Sequence, residues 1–359
     1  PKVDQIIKGL VGVNLALGVI IPAAVTRSAV NLPIVKGIMD LFDDTPEGSR
    51  ARGALAMTGL CYFPMVSGIM LLTSHMPNVI MAGLFDKVLG YQISYIKWFV
   101  LQWPLLGLVP LIYLIVKRTM NLRDISVPGG SEFIALEKKS IGRMTSLEWL
   151  VLGVFTIAVL LWIAQPYTKI NTGLATLIVV GVFFIPGLLP TPWRTIQGKT
   201  MWGTWLLLAG ALSLATAISS TGLAEWIAGF AAQMFKGQFF LFILVGTIVL
   251  TALIRIFMLS NVAAVAMLAP VLISLAQILN LNPVAFTLLV GNFDSFSFII
   301  PTQVTACVIA YGTGSFDMKT YARVGIPIMI ATLIYFVVIM LPWYALNGLP
   351  LWGGFMVWK

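Results

Sequence analysis

Charge is what this sequence has least of. Only 10% of its 359 residues are Asp, Glu, Lys or Arg and 59% are hydrophobic, whereas a soluble domain carries roughly a quarter charged residues. A chain so composed cannot present a water-compatible surface, which excludes an ordinary soluble enzyme and points to an all-α polytopic membrane protein. Cysteine and histidine are almost missing as well. Cys61 and Cys307 both fall in apolar stretches, so packing is their expected role and neither a disulfide nor a metal framework is expected. His75 is the single histidine. With no second imidazole, no G-x-S-x-G element and no H-E-x-x-H motif, a membrane-embedded hydrolase is disfavoured and no enzymatic activity is expected.

The charge that is present has a pattern. The net charge is +9, and Lys117, Arg118, Arg123, Lys138, Lys139 and Arg143 are gathered in one short region. Such placement reflects orientation by the positive-inside rule rather than a surface for nucleic acid. Residues 119–145 therefore read as a cytoplasmic loop, and no nucleic-acid partner is expected.

A helix needs about 20 apolar residues to cross a bilayer. Residues 9–24 and 27–39 are two short apolar pieces around the polar tip Thr26-Arg27-Ser28, 53–85 is a long segment interrupted at 73–78 (TSHMPN), and 95–117 is a clean span. Spans 147–164, 171–190 and 202–220 follow the basic loop, and 222–236 reads as a helix lying at the membrane interface. Then 239–259 and 262–279 flank Ser260-Asn261, 284–312 is interrupted over 292–305, and 322–346 is again a clean span.

The order hairpin, broken helix, whole helix thus occurs twice. Asn261 lies 237 residues after Ala24, Thr305 228 after Pro77, and Tyr321 227 after Ser94; the slippage fits the acidic loop 40–49, which the second copy lacks. Internal repeats whose helices break at matching places point to a secondary transporter and to its substrate site. With 119–145 inside, the three spans after it bring the chain outside before the second hairpin, so the copies are expected to be inverted. Arg50, Arg52, Arg194, Lys199, Lys319 and Arg323 then fall inside, against Lys87, Lys97, Lys169, Lys236 and Lys359 outside. The same offset places the start of the first copy about 90 residues ahead of Pro1, so an N-terminal portion of about three or four helices is expected to be missing.

Within the spans, Asp294 alone among the acidic residues lies deep, with Arg27 and Arg255 comparably placed, Lys36 nearer an end, and His75 in the first interruption. A charge at the bilayer centre costs about 2.5–3.5 kcal/mol, so these groups need partners or a task. Arg255, five residues before a tip, reads as a structural ion-pair partner or a substrate ligand. Arg27 is placed to attract a carboxylate. His75 reads as a proton carrier or a hydrogen-bonded packing residue, and Asp294 as a cation or proton site or an arginine's partner. Helix N-termini meeting at tips and breaks make an anion cradle from unpaired N–H groups, while unwound carbonyls can hold a cation.

Three stretches carry a family resemblance. LSNVAAVAMLAPVLISLAQILNLNP (259–283) resembles the second hairpin of the divalent anion:sodium symporters, the INDY-like dicarboxylate carriers, whose tips carry Ser-Asn-Thr. WLLLAGALSLATAISSTGLAEWIAG (205–229) is similar to the helix and interfacial segment before that hairpin, and LLTSHMPNVIMA (71–82) to the first broken helix. The chain also departs from the pattern. Ala23-Ala24-Val25 replaces Ser-Asn-Thr at the first tip, Val262 replaces the second threonine, and Pro301-Thr302-Gln303-Val304-Thr305 matches the second break loosely. The neighbouring Arg27-Ser28 resembles the continuation found in the family's exchangers.

The resemblance implies an inverted-repeat elevator carrier with two re-entrant hairpins and two broken helices. It would be a homodimer in the lipid of a bacterial inner membrane, moving a small anion of the succinate, malate, oxoglutarate or citrate type, or another divalent anion such as sulfate. Segments 1–40, 41–118, 238–281 and 282–347 would form the transport domain, 146–237 the scaffold with the missing N-terminal half, and 119–145 the loop between. Substrate ligands are expected among Thr26, Arg27 and Ser28 at one tip and Ser260, Asn261 and Val262 at the other. The breaks add Ser74, His75, Pro77 and Asn78, with Thr302, Gln303 and Thr305. His75, Asn292, Asp294 and Ser295 are the candidates for cation or proton coupling. No cofactor is expected apart from a sodium ion near Ser260, Asn261 and the 292–305 break. Losing oxygen-bearing side chains from the first tip weakens the case for sodium, and favours proton coupling or exchange with Arg27 as a fixed positive charge.

Overall fold

The computed structural model describes residues 1–352 except 22, 171, 186, 189–191 and 201, and the side chain of 204. The end of the expected span 171–190 and Lys359 lie outside the described residues. All the regular elements described are helical.

The first hairpin is α1 (Val3–Ile20) and α2 (Ala24–Met39). Thr45 caps the next helix through the Gly48 N–H and Pro46 fills its first turn, giving α3 (Pro46–Met57), which continues through a π-helical turn into α4 (Phe63–Ile69). A 3-10 turn, Leu72–Ser74, leads to α5 (Met76–Leu89), closed by Gly90 in the left-handed region. The unwound stretch is thus 70–75 rather than 73–78. Pro77 fits the first turn of α5, where an absent N–H costs nothing, and Asn78 also belongs to that helix. The next span combines α6 (Tyr95–Gln102), a 3-10 stretch holding Pro104, and α7 (Leu108–Thr119).

The basic loop contains an amphipathic helix, α8 (Gly130–Ile141), whose Phe133 packs so closely on Gly37 of α2 that a Cβ there would clash. Next come α9 (Ser146–Ile163), the single turn α10 (Gln165–Thr168), α11 (Thr172–Val182), α12 (Trp193–Lys199) and α13 (Trp202–Ser220). The chain bends by 69° between the described part of α13 and α14 (Leu223–Phe235). Helix α15 (Phe240–Ile254), a 3-10 turn at Arg255–Phe257 and α16 (Asn261–Ile278) make the second hairpin, with Ser260 capping α16 through the Ala263 N–H. Asn282 caps α17 (Pro283–Asp294), which unwinds through the 3-10 turn Pro301–Gln303 before α18 (Thr305–Tyr311). Helix α19 (Met318–Tyr335), a π-helical turn and α20 (Leu341–Leu346) complete the last span.

Six described helices are long and apolar enough to cross a bilayer, or seven if the bent pair counts as one span. The protein is a polytopic α-helical membrane protein. Its two similar runs of elements interlock: α16 packs on α5 and α17, and α18 packs on α2 and the first π-helical turn. Helix α13 lies against both α5 and α16 through a face containing Ala211, Ala215 and Ile218. Helices α9 and α11 form a separate apolar cluster with Tyr95 and keep many large apolar side chains exposed, including Leu160 and Leu177. In water that surface would be unfavourable, whereas hydrocarbon solvates it.

One expectation is overturned. Cys61, in the first π-helical turn, and Cys307, in the first turn of α18, form a disulfide with Cα atoms 4.5 Å apart across 246 residues of sequence. The sequence placed both in apolar spans, but only the packing of α18 on the first broken helix brings them together.

Candidate functional site

The tips of both hairpins and the second halves of both breaks surround one cavity of about 290 Å³. Residues 23–26 and 260–262 contribute from the tips, 75–77 and 304–306 from the breaks, Met65 from α4 and Leu207 from α13. Its size is near the lower end for ligand pockets, about 300 Å³. Thr26, His75, Ser260, Asn261 and Thr305 supply polar side chains, beside a lining that includes Ala23, Ala24, Val25 and Val262.

Each break is held open by side chains that satisfy its backbone. Asn78 donates from Nδ2 to the carbonyls of Gly68, Ile69 and Leu71 at 3.3, 3.1 and 2.9 Å, serving the last turn of α4. At the other break, Gln303 Oε1 accepts from the Ile299 and Ile300 N–H groups at 2.8 and 3.0 Å, and its Nε2 donates to Ala252 O. Unpaired backbone groups are costly away from water. These two amides stabilise the unwound geometry and do not line the cavity.

An arginine ties each hairpin to its neighbouring break. Arg27 donates from Nε and Nη2 to Pro64 O, at 3.2 and 2.7 Å, and from Nη1 to Ser74 O at 3.0 Å and to Ile21 O. Gly68 makes room for it, since a Cβ there would collide with the guanidinium. Arg255 donates to Met258 O at 2.7 Å, to Asn261 Oδ1 at 3.0 Å and to Gln303 O, and its Nε lies 2.9 Å from Asp294 Oδ1. Among the described residues Arg27 has no carboxylate partner of this kind. The first tip accordingly holds an uncompensated positive charge, and the second a neutralised one.

Of the expected substrate ligands, Thr26, His75, Pro77, Ser260, Asn261, Val262 and Thr305 line the cavity. Arg27, Ser28, Ser74, Asn78 and Gln303 are buried behind it, with Ser28 Oγ donating to Ala24 O and Leu60 O, and Thr302 is exposed outside the lining. Among the coupling candidates, His75 Nε2 lies 3.1 Å from Ser295 Oγ and links the two breaks. Asn292 donates to Gln102 Oε1 and Tyr344 Oη in a separate buried network. Asp294 faces Arg255 rather than the cavity. Sequence reasoning did not single out Met65, Met76, Leu207 or Ala306, which carry no polar or charge signal.

Asn261 has one polar atom to spare. Its Oδ1 accepts from Arg255, whereas its Nδ2 has no hydrogen-bond partner among the described residues. That nitrogen is itself buried, while other parts of Asn261 line the cavity at the N-terminus of α16, where first-turn N–H groups lack internal partners. Chemically this is a small site suited to an anion with hydrogen-bond acceptors, framed by helix N-termini and by a buried arginine.

Fold and site together define a polytopic helical membrane protein with a cavity between paired helical tips and helix breaks. Residues 5–349 match the sodium:sulfate symporter transmembrane region, and the chain belongs to that family. A relative from Cupriavidus necator described as a membrane protein is 27% identical over 334 residues, covering 91% of this chain and 64% of its own length. The sodium-dependent dicarboxylate transporter SdcS of Staphylococcus saprophyticus is 27% identical, covering 86% of this chain and 63% of that protein. The L-tartrate/succinate antiporter of Escherichia coli is also 27% identical, over 92% of this chain and 69% of that protein. The chain thus spans a little under two thirds of the length of the first two relatives.

Proposed function

We propose that the protein carries di- or tricarboxylates of the succinate, malate, oxoglutarate or citrate type across a bacterial inner membrane. The observation that carries this reading is the single cavity formed by both tips and both breaks, with Ser260, Asn261 and Thr305 among its lining residues. The relatives' names support the carboxylate class, since one is a dicarboxylate transporter and another a tartrate/succinate antiporter.

The two hairpins and two broken helices act as one transport unit that slides along α13, in an elevator motion between inverted halves of a homodimer's protomer. Support for the duplication comes from Arg27 and Arg255. Each donates to the carbonyl of the last residue in a 3-10 turn, Ser74 in one half and Gln303 in the other, 229 residues apart.

Transport proceeds by exchange of one carboxylate for another. Arg27 stands where the first tip meets the first break as a tethered cation, and Ala23, Ala24 and Val25 offer no side-chain oxygen to a sodium ion there. In a sodium-coupled cycle, the ion would bind near Ser260, Asn261 and the second break, where oxygen-bearing side chains remain. Carriage of sulfate on the same architecture is the second reading, favoured by the description of the matched family.

Proteoliposomes containing the full-length protein, given labelled succinate with internal carboxylate, a sodium gradient or a proton gradient applied one at a time, test both substrate and coupling. Uptake that requires internal carboxylate alone is the expected result. Absence of carboxylate movement under all three conditions, with sulfate uptake present, would replace the first reading by the second.

A further inference from the structure

A second cavity lies away from the tips. It measures about 260 Å³, close to the 290 Å³ of the first, and the two share no lining residue. Three separate stretches build it: Lys36, Met39 and Asp40 at the end of α2, Ser49 and Arg52 in α3, and residues 313–315 in the turn between α18 and α19. Close packing holds that turn against α3. A Cβ on Gly53 would stand 3.1 Å from Ser315 O, and Gly314 takes the left-handed conformation (φ +70°) that lets the chain reverse there.

The groups brought together are not used up by the fold. Neither Lys36 nor Asp40 makes a side-chain hydrogen bond or ion pair among the described residues. Arg52 is oriented by two bonds, from Nη1 to Phe42 O at 3.0 Å and from Nη2 to Asp44 Oδ1 at 2.6 Å, and a guanidinium has further donors to spare. Asp44 is 93% exposed and outside the lining, so water screens its hold on the arginine charge. Thr313 Oγ1 lies 3.0 Å from Ser315 Oγ, and Ser49 adds a third hydroxyl.

Two cations and three hydroxyls against one carboxylate select the ligand. The positive excess attracts an anion, and the arginine fork suits a carboxylate or a phosphate. Asp40 would repel an anion made of acceptors alone, because an ionised carboxylate can only accept; a ligand hydroxyl turns that repulsion into a hydrogen bond. We propose that this pocket binds a small oxyanion that also carries a hydroxyl, a hydroxycarboxylate or hydrogen phosphate, with Lys36 and Arg52 on the charged oxygens and Asp40 accepting from the hydroxyl. Lys36 lies 12 residues beyond Ala24, about 18 Å along a helix, so the pocket sits at the opposite end of α2 from the tip cavity. That end adjoins Arg50 and Arg52, which the positive-inside pattern assigns to the inner face. A bound anion there joins the first hairpin, α3 and the turn after α18, whatever the tip cavity carries.

Lys36 is exposed and makes a local probe. Full-length protein in phosphatidylcholine nanodiscs, which leave both faces open, is treated with an amine-reactive ester, and acylation at Lys36 is followed by peptide mass spectrometry. Inorganic phosphate, malate and succinate are titrated separately at constant ionic strength set with sodium chloride. The variants are Ser49→Phe, which fills the pocket, Asp40→Asn, which removes the acceptor charge at an exposed position, and Asn261→Ala, which alters the tip cavity instead. Thermal midpoints establish that each is folded, and no reading depends on transport.

Phosphate or malate is expected to slow acylation of Lys36 by about fivefold or more at about four times its Kd, from site occupancy alone. Lys138, exposed on α8, is expected to react at an unchanged rate. Succinate, which lacks the hydroxyl, should need a concentration about two- to tenfold higher, the scale of one hydrogen bond, and Asp40→Asn should bring it level with malate. Protection is expected to vanish in Ser49→Phe and persist in Asn261→Ala. Protection by only one of phosphate and malate supports the site and identifies the source of its ligand. No protection by either, protection that survives Ser49→Phe, or protection lost in Asn261→Ala overturns the proposal. Succinate protecting the wild type as well as malate or phosphate overturns the hydroxyl requirement and the role of Asp40.

Discussion

The two hairpin tips meet the same cavity with opposite chemistry. At the first, among the described residues, Arg27 is held only by backbone carbonyls, those of Ile21, Pro64 and Ser74, and Ala23, Ala24 and Val25 offer no polar side chain. At the second, Arg255 is neutralised by Asp294, and the tip presents Ser260 and Asn261. The unpaired positive charge and the polar tip side chains Ser260 and Asn261 are thus divided between the two hairpins. On the carrier reading proposed above, the first tip would attract the anion and the second would hydrogen-bond it.

The sharpest way to break this division is to remove the charge. Arg27→Gln is expected to lower carboxylate uptake by about 100-fold or more, on the order of 2.7 kcal/mol. It also leaves buried carbonyls under-satisfied, and each such group costs about 1–3 kcal/mol, so expression and thermal midpoint are measured alongside. Retained uptake in a folded Arg27→Gln protein would show that the first tip contributes no attraction.

Removing the donor instead should cost less. Asn261→Ala is expected to reduce uptake by about 10- to 100-fold with normal expression, the range for one hydrogen bond to a charged group. Normal transport would take the second tip out of the site. Leu207 tests the cavity wall that comes from α13 rather than from a tip or break. Leu207→Ala enlarges it, and the ratio of citrate to succinate uptake is expected to rise by about tenfold, the scale of apolar pocket discrimination. A fixed ratio would mean that α13 does not shape selectivity.

The smallest effect should come from adding an amide where none exists. In Ala24→Asn, succinate uptake is expected to change by less than about threefold, or under 0.7 kcal/mol, and to stay independent of sodium. Sodium stimulation of the unmodified protein would contradict exchange, and stimulation appearing only in the variant would assign the missing oxygens to coupling.

Much of the scaffold was legible because membrane segments are written in long apolar runs, and their interruptions stand out. The helix pairs meeting near Arg27 and Ser260 and the unwound stretches near His75 and Phe298 all fall close to where composition changes. What was not legible depends on which faces meet. Asn78 and Gln303 look like ligands in sequence, because a polar residue in an apolar span suggests a task, yet here the task is to satisfy the unwound backbone. Leu207 is one leucine among many until α13 is laid beside the tips. Cys61 and Cys307 are unremarkable until α18 is packed on the π-helical turn of the first broken helix. The partner of Arg255 was among the alternatives the sequence offered, but its hydrogen bond to Asn261 Oδ1 required coordinates.

The fit of Arg27 over Gly68 also constrains how the cavity can admit and release its occupant. Swinging the first hairpin aside like a flap would pull the guanidinium from Pro64 O and Ser74 O at once. Hydrogen bonds from a charged donor are worth roughly 1.5–3 kcal/mol each. Moving hairpin and broken helix together past α13 leaves all of them intact. The first tip is thus built like the corner joint of a drawer, fastening hairpin and broken helix so that a motion carrying both together leaves the joint whole.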